Sequence, residues 1–218
     1  MNGEPAIPIN ILPESQKRLL HKMSKALSGA DFYLAGGTAL ALQIGHRQSL
    51  DFDWFISKLG DPEILFSRFK SANIDFRVTS TAIETVYLNV DNIQVSFFGY
   101  NYPLLQPIIV HPVYGMRMAG PDDIACMKLS AIASRGSRKD FTDLYFLVKL
   151  FKPLEDYLKL YTQKFSTRDI GHIVRSLVYF EDAESEPELA MLKPMSWNDL
   201  KSEFEMYFKN LSQLTPYS

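Results

Sequence analysis

The chain has 218 residues, 46% hydrophobic and 22% charged, the balance of a soluble globular protein with enough length to bury a core. A formal net charge of −2 and a pI near 6.1 exclude a global field drawing it to nucleic acid or membrane, so a polyanionic partner has to meet a local basic patch. The single cysteine, Cys126, excludes an internal disulfide framework and fits a reducing cytoplasm.

The first residues, MNGEPAIPINILPE, lack a basic segment followed by a continuous apolar one, so no signal peptide is expected. Pro5, Pro8 and Pro13 predict an extended start. A helix from about Glu14 to Ser28 follows, with Leu19, Leu20, Met23 and Leu27 at helical spacing, and Gly29 closes it. Phe32 to Ala35 reads as a strand and Gly36-Gly37 as a turn, with Thr38 and the run Ala39–Gln43 opening a short helix. Gly45 stops that helix, His46 to Ser49 form a polar loop, and a second strand runs from Asp51 through Ile56. Asp61-Pro62 is a capped helix start, and the helix reaches about Asn73, burying Ile64, Leu65, Phe66 and Phe69. Three strands follow, Phe76–Ser80, Thr85–Val90 and Ile93–Tyr100, the last two joined by a two-residue turn at Asp91-Asn92. Val110 to Met118 adds a further strand candidate.

From Gly120 onward the pattern is helical. Helices are expected from Pro121 to Arg135, Arg138 to Phe151, Pro153 to Phe165 and Thr167 to Phe180, with a last one opened by the cap Ser196. In the first of these Cys126 falls within the apolar pattern, predicting a buried, inert thiol. No apolar run approaches the roughly 20 residues that span a bilayer, and no membrane association is expected. The expected architecture is α+β: a mixed sheet with flanking helices over residues 1–119, then a helical domain over residues 120–218 packed on it.

The chemistry concentrates in Phe32–Phe55. Side chains alternate along a strand, which puts Asp51 and Asp53 on one side. Two carboxylates there can hold a divalent metal, while N–H groups of the Gly36-Gly37 turn hold a phosphate. Each part alone is weak: a Gly-Gly pair is usually only a turn, an Asp-x-Asp strand is often a solvated edge, and Arg47 can simply pair at the surface. Together, in one span, they form the layout of a nucleotidyl-transfer site. The span resembles the first signature of the AbiEii/AbiGii toxin family of the polymerase-β-like nucleotidyltransferases. That resemblance implies a nucleotidyltransferase-like fold. It also implies metal binding by Asp51 and Asp53, with the nucleotide phosphates held by Gly36, Gly37 and Thr38 beside Arg47 and Ser49.

A second constellation lies at MKLSAIASRGSRKDFTDLYFL. By composition, Lys128 beside the stripe of Ile124, Met127, Ala131 and Ile132 is expected to turn its ammonium outward, and Lys139 and Asp143 to form an exposed helix pair. The run is, however, similar to the second signature of the same family. The resemblance implies essential roles for Lys128 and Asp143, with Lys139 and Asp140 matching the start of its Lys-Asp-x-x-Asp motif. A lysine there neutralises triphosphate charge; Asp143 orients it or acts as base toward the attacking hydroxyl. Arg135, Arg138 and Lys139 are the candidate local patch for an RNA backbone.

The resemblance thus implies a Mg²⁺-dependent enzyme, with one or two ions, that transfers a nucleotide from an NTP to an acceptor, a tRNA 3′ end or other RNA, and a cognate antitoxin. One departure stands out. The superfamily commonly draws a third carboxylate from the strand after the Asp-x-Asp strand, where this sequence has Ser96. Either Asp143 replaces that acid, or two metal-binding acids suffice, or catalysis is impaired and the chain is a nucleotidyltransferase-like binding module. A small-molecule acceptor is a further alternative. His21, His46, His111 and His172 show no pair at metal-ligand spacing, and no zinc site is expected.

Overall fold

A computed structural model describes residues 11–214, so Pro5 and Pro8 of the expected extended start lie outside the described residues. The chain divides into two compact units at Gly120/Pro121.

The first unit is built on a seven-stranded mixed sheet of order β3-β4-β5-β2-β1-β7-β6. Its strands are β1 (Tyr33–Ala35), β2 (Phe52–Ile56), β3 (Arg77–Ala82), β4 (Thr85–Val90), β5 (Ile93–Gly99), β6 (Ile109–Val110) and β7 (Arg117–Met118). At the centre β2 is antiparallel to β1 and parallel to β5. The predicted Asp91-Asn92 turn forms, both residues with φ above +50°, the twist that suits a two-residue hairpin, and the register Val90 to Ile93 is tight. The strand expected over 110–118 is instead the short hairpin β6–β7.

Three helices accompany the sheet: α1 (Glu14–Ala26), α2 (Gly36–Ile44) and α3 (Pro62–Ser71). Asp61 caps α3 by accepting from the Glu63 N–H at 3.0 Å, as its Asp-Pro start predicts. Ile64, expected to be buried, is 64% exposed. Three consecutive apolar residues cannot share one helical stripe, and Leu65, Phe66 and Phe69 occupy it.

The sheet's two faces differ in kind. Phe52, Trp54, Val95, Phe97, Val86 and Leu88 fill one face and are fully buried, with Phe32 of the chain before β1 and Phe69 of α3 edge-on to Phe97. The other face carries Asp53, Ser96 and Tyr87 in one row, by register, and Phe55 and Phe98 in the next. Asp53 belongs to this second, more polar face.

The second unit is helical: α4 (Pro121–Arg135), α5 (Arg138–Leu150), α6 (Leu154–Phe165), α7 (Gly171–Ser176), α8 (Glu181–Glu184) and α9 (Trp197–Leu214). Helix α4 packs against α5, α6 and α7. An aromatic core of Phe141, Phe180, Trp197 and Phe204 ties α5 to α9. The helix expected from Thr167 to Phe180 is only the six-residue α7. Asp169, not Thr167, accepts from the N–H of Gly171, and Ser176 turns its hydroxyl back to the Ile173 carbonyl at the other end. Segment EDAESEPE, which follows Phe180, contains the single turn α8. Among the described residues no helix is long and apolar enough to cross a membrane.

Candidate active site

The two predicted constellations fall in different units, and each is assembled locally. In the first unit, α2 begins at Gly36 itself, so the glycine pair is the first turn of the helix rather than a turn before it. Gly36 has φ +68°, a conformation that suits glycine. An added Cβ there would lie 3.1 Å from Oδ2 of Asp53. The Asp53 carboxylate therefore lies close against the space that a side chain at the start of α2 would take. Asp53 pairs in register with Ala35 on one side and Ser96 on the other, and it is half-exposed.

Asp51 lies one residue before β2 and is also half-exposed. The approach to it, His46 to Ser49, was expected to be a polar loop; all of it but Gln48 is buried. Gly45 ends α2 in the left-handed conformation, and His46, Arg47 and Ser49 are inside the protein. Thr38 Oγ1 donates to the Asp51 carbonyl and lies 2.8 Å from the Ser49 hydroxyl. Gln16 of α1 donates to the Leu50 carbonyl at 2.8 Å, and Arg47 Nη1 to the Gln48 carbonyl at 2.9 Å. Thr38, Ser49 and Arg47 thus hold the loop that presents Asp51, while Gly36, Asp51 and Asp53 are the members of the set with open surface.

Among the described residues no three His, Cys, Asp or Glu side chains gather as a self-sufficient metal site. The donors that fit a cation are the two hard carboxylates of Asp51 and Asp53. Mg²⁺ is ordinarily held by one or two such carboxylates, completed by water and substrate phosphates, so the donor chemistry suits it. The close approach of Asp53 to Gly36 supports the same fit, because it brings the carboxylate to the start of α2, the end of a helix that favours the anionic groups of a metal–phosphate substrate.

In the second unit Lys128 does not turn outward. It is buried, with Nζ 2.8 Å from Asp140 Oδ1 and 2.6 Å from Asp143 Oδ2, both carboxylates being fully inside. Arg135 reaches the same Asp140 from a half-exposed position, its Nε 2.7 Å and Nη2 3.1 Å from the two oxygens. Burial by itself would raise the Asp140 carboxyl; the Lys128 ammonium and Arg135 guanidinium more than reverse this and hold it below the usual carboxylate range. The exposed Lys139–Asp143 pair is therefore not formed: Asp143 faces inward to Lys128, and Lys139 is half-buried. Arg138 is drawn away from the expected RNA patch. Its guanidinium carbon lies 4.6 Å from the centre of the Trp197 ring, and its Nε donates to the Ala183 carbonyl.

Sequence reasoning missed a second buried pair, Lys164 Nζ to Asp123 Oδ1 at 2.7 Å, with both side chains fully enclosed. No spacing marks it, since its members are 41 residues apart. Cys126, beside it in α4, is buried as expected, and burial pushes its thiol up to about 12.

A family model described as nucleotidyl transferase AbiEii toxin, Type IV TA system, matches residues 18–86 and 74–217. The chain belongs to this AbiEii family. An uncharacterized protein of Aquifex aeolicus is 44% identical over 181 residues, 80% of this chain and 86% of that one. Two solved structures share the fold. A candidate nucleotidyltransferase from H. pylori has a TM-score of 0.59 at 24% identity, covering 94% of this chain and 99% of that one. The nucleotidyltransferase toxin MenT4 of Mycobacterium tuberculosis has a TM-score of 0.61 at 17% identity, covering 92% and 82%. Membership of the family makes the chain a nucleotidyltransferase of the toxin type and confirms the resemblance drawn from the two signatures.

Proposed function

We propose that the chain transfers a nucleotide from an NTP to the 3′ end of a tRNA, in the cytoplasm and opposed by a cognate antitoxin. The acceptor hydroxyl attacks the α-phosphorus, its proton leaves, the bond to the bridging oxygen breaks, and pyrophosphate departs. One observation carries the reading: Asp53, half-exposed, lies close against Gly36 at the start of α2, two residues after the half-exposed Asp51. Carboxylates and helix N–H groups side by side suit a metal–phosphate substrate.

In this reading Asp51 and Asp53 hold one or two Mg²⁺ ions, which when bound neutralise phosphate charge. Gly36 and Gly37 offer N–H groups to the phosphates. Thr38, Ser49 and Arg47 act by fixing the loop rather than by touching nucleotide. Lys128 supplies an ammonium toward the triphosphate, Asp143 and Asp140 orient it, and Lys139 is the remaining basic group of that motif.

The test is label transfer. Each radiolabelled NTP is incubated with the protein, Mg²⁺ and total tRNA, beside Asp53→Ala. Label on tRNA with the wild type alone supports the reading; label only on other acceptors in a wider screen moves the acceptor assignment, and none anywhere defeats it. A second reading is favoured by one observation: Ser96, buried and in register beside Asp53, occupies the place of a third acid with a hydroxyl, which is a poor substitute for a carboxylate ligand. A binding module built this way would hold NTP equally well with and without Asp53 and transfer nothing.

A further inference from the structure

The face of the sheet that carries Asp53 also carries a run of aromatic rings that none of the foregoing chemistry uses. Phe55 is two residues beyond Asp53 on β2, and Phe98 two beyond Ser96 on β5, so both rings share the carboxylate's face, about 7 Å further along the strands. Phe55 and Phe98 lie 5.1 Å apart. Tyr87 of β4 meets Phe98 edge-on at 5.8 Å, Tyr100 meets Phe55 at 5.5 Å, and Tyr102 lies 4.9 Å from Tyr100. A sheet face that only needed packing would close over such rings, as the opposite face closes over Trp54 and Phe97. Here Phe98, Tyr87 and Tyr100 are half-exposed and Tyr102 is 46% exposed.

Position selects the occupant. Gly36 continues from Ala35, the partner of Asp53, and β1 runs opposite to β2. The start of α2 and Asp51 therefore lie on one side of Asp53, and Phe55, Phe98 and Tyr100 on the other. In a phosphoryl transfer the attacking and leaving oxygens stand in line on opposite sides of phosphorus. With the departing pyrophosphate on the glycine side, the acceptor enters from the aromatic side. Resting on the function proposed above, we propose that Phe98, Tyr100 and Tyr102, with Tyr87 and Phe55 behind them, form a platform on which the unpaired terminal nucleobase of an RNA acceptor stacks. Aromatic faces take every base, so the platform sets the acceptor's position rather than its sequence.

A five-nucleotide single-stranded RNA with 2-aminopurine at its 3′ end tests this, because stacking quenches that base. Binding is measured without NTP or metal for the wild type, Phe98→Leu, Tyr102→Leu and Tyr102→Phe, and ATP–Mg²⁺ affinity is measured separately by calorimetry. Expected are quenching by the wild type, roughly tenfold weaker RNA binding in at least one leucine variant, wild-type binding in Tyr102→Phe, and unchanged ATP affinity. Absence of quenching, wild-type RNA affinity in both leucine variants, or an equal loss of ATP affinity overturns the platform; the last assigns the rings to the incoming nucleotide. The two readings fail separately. Label transfer with unaffected leucine variants removes the platform alone, whereas stacking without transfer to any acceptor removes the enzymatic reading alone.

Discussion

Replacing Lys128 by Met removes a buried ammonium while keeping most of the side chain's volume. Two fully buried carboxylates lean on that ammonium, at 2.8 and 2.6 Å. Asp140 keeps a second cation, Arg135, at 2.7 Å, though through a half-exposed side chain. Asp143 loses its ammonium outright. Breaking a buried pair from one side costs about 3–5 kcal/mol, and Arg135's retained contact places this case near the lower end, about 3 kcal/mol. With a urea slope of about 3 kcal/mol/M, the midpoint for the full chain, followed by far-UV circular dichroism, falls by about 1 M. The double variant Lys128→Met/Asp143→Asn also removes the carboxylate that has lost its ammonium and regains at least about 1 kcal/mol of that loss. A single-variant midpoint within about 0.2 M of wild type would refute the argument that these carboxylates depend on Lys128.

Gly36→Ala forces a side chain into φ +68° and sets a Cβ 3.1 Å from Asp53 Oδ2, so about 1–2 kcal/mol of stability is lost, and ATP–Mg²⁺ binding, read by calorimetry, weakens well beyond what Thr38→Ala produces. Asp140 has its folded-state pKa lowered from 3.8, so its contribution to stability is present above that value and is lost as pH falls through the lower folded value. Urea midpoints measured from pH 5 downward therefore fall in the wild type and change less in Asp140→Asn. Ser96→Asp adds a carboxylate in register beside Asp53 and is expected to tighten Mn²⁺ binding by titration calorimetry, at some cost in thermal stability because the site is buried.

Local signals were legible wherever a residue's own conformational preference decides the outcome. Asp61-Pro62, Asp91-Asn92 and Gly45 stand where caps and turns were expected, because each supplies a cap or a φ that the chain needs there. Ser96, singled out through the family resemblance as standing where a third acid is common, pairs in register with Asp53. What stayed hidden was burial. Arg47, Ser49 and Lys128 read as polar surface because single-residue chemistry carries no information about partners from other elements. Thr38, 11 residues from Ser49, and Asp140, 12 from Lys128, make those partners. The aromatic rings were hidden for a related reason: only the strand pairing shows that Phe55, Phe98 and Tyr87 share the face of Asp53.

The two constellations differ in their electrostatics, and the difference bears on how a triphosphate would be drawn in. Lys128 and Arg135 bring two positive charges, Asp140 and Asp143 two negative ones, so the cluster is neutral by count. A neutral cluster exerts little long-range pull on a polyanion, particularly in a chain whose formal net charge is −2. In the proposed reading, capture of the substrate would fall to a metal at Asp51 and Asp53 and to the start of α2, where the attraction acts over a few ångströms. In the proposed reading, what Lys128 would add is direction. An ammonium clamped by two carboxylates needs no reorganisation when charge develops nearby, which is the condition under which a fixed cation favours a transition state over a ground state.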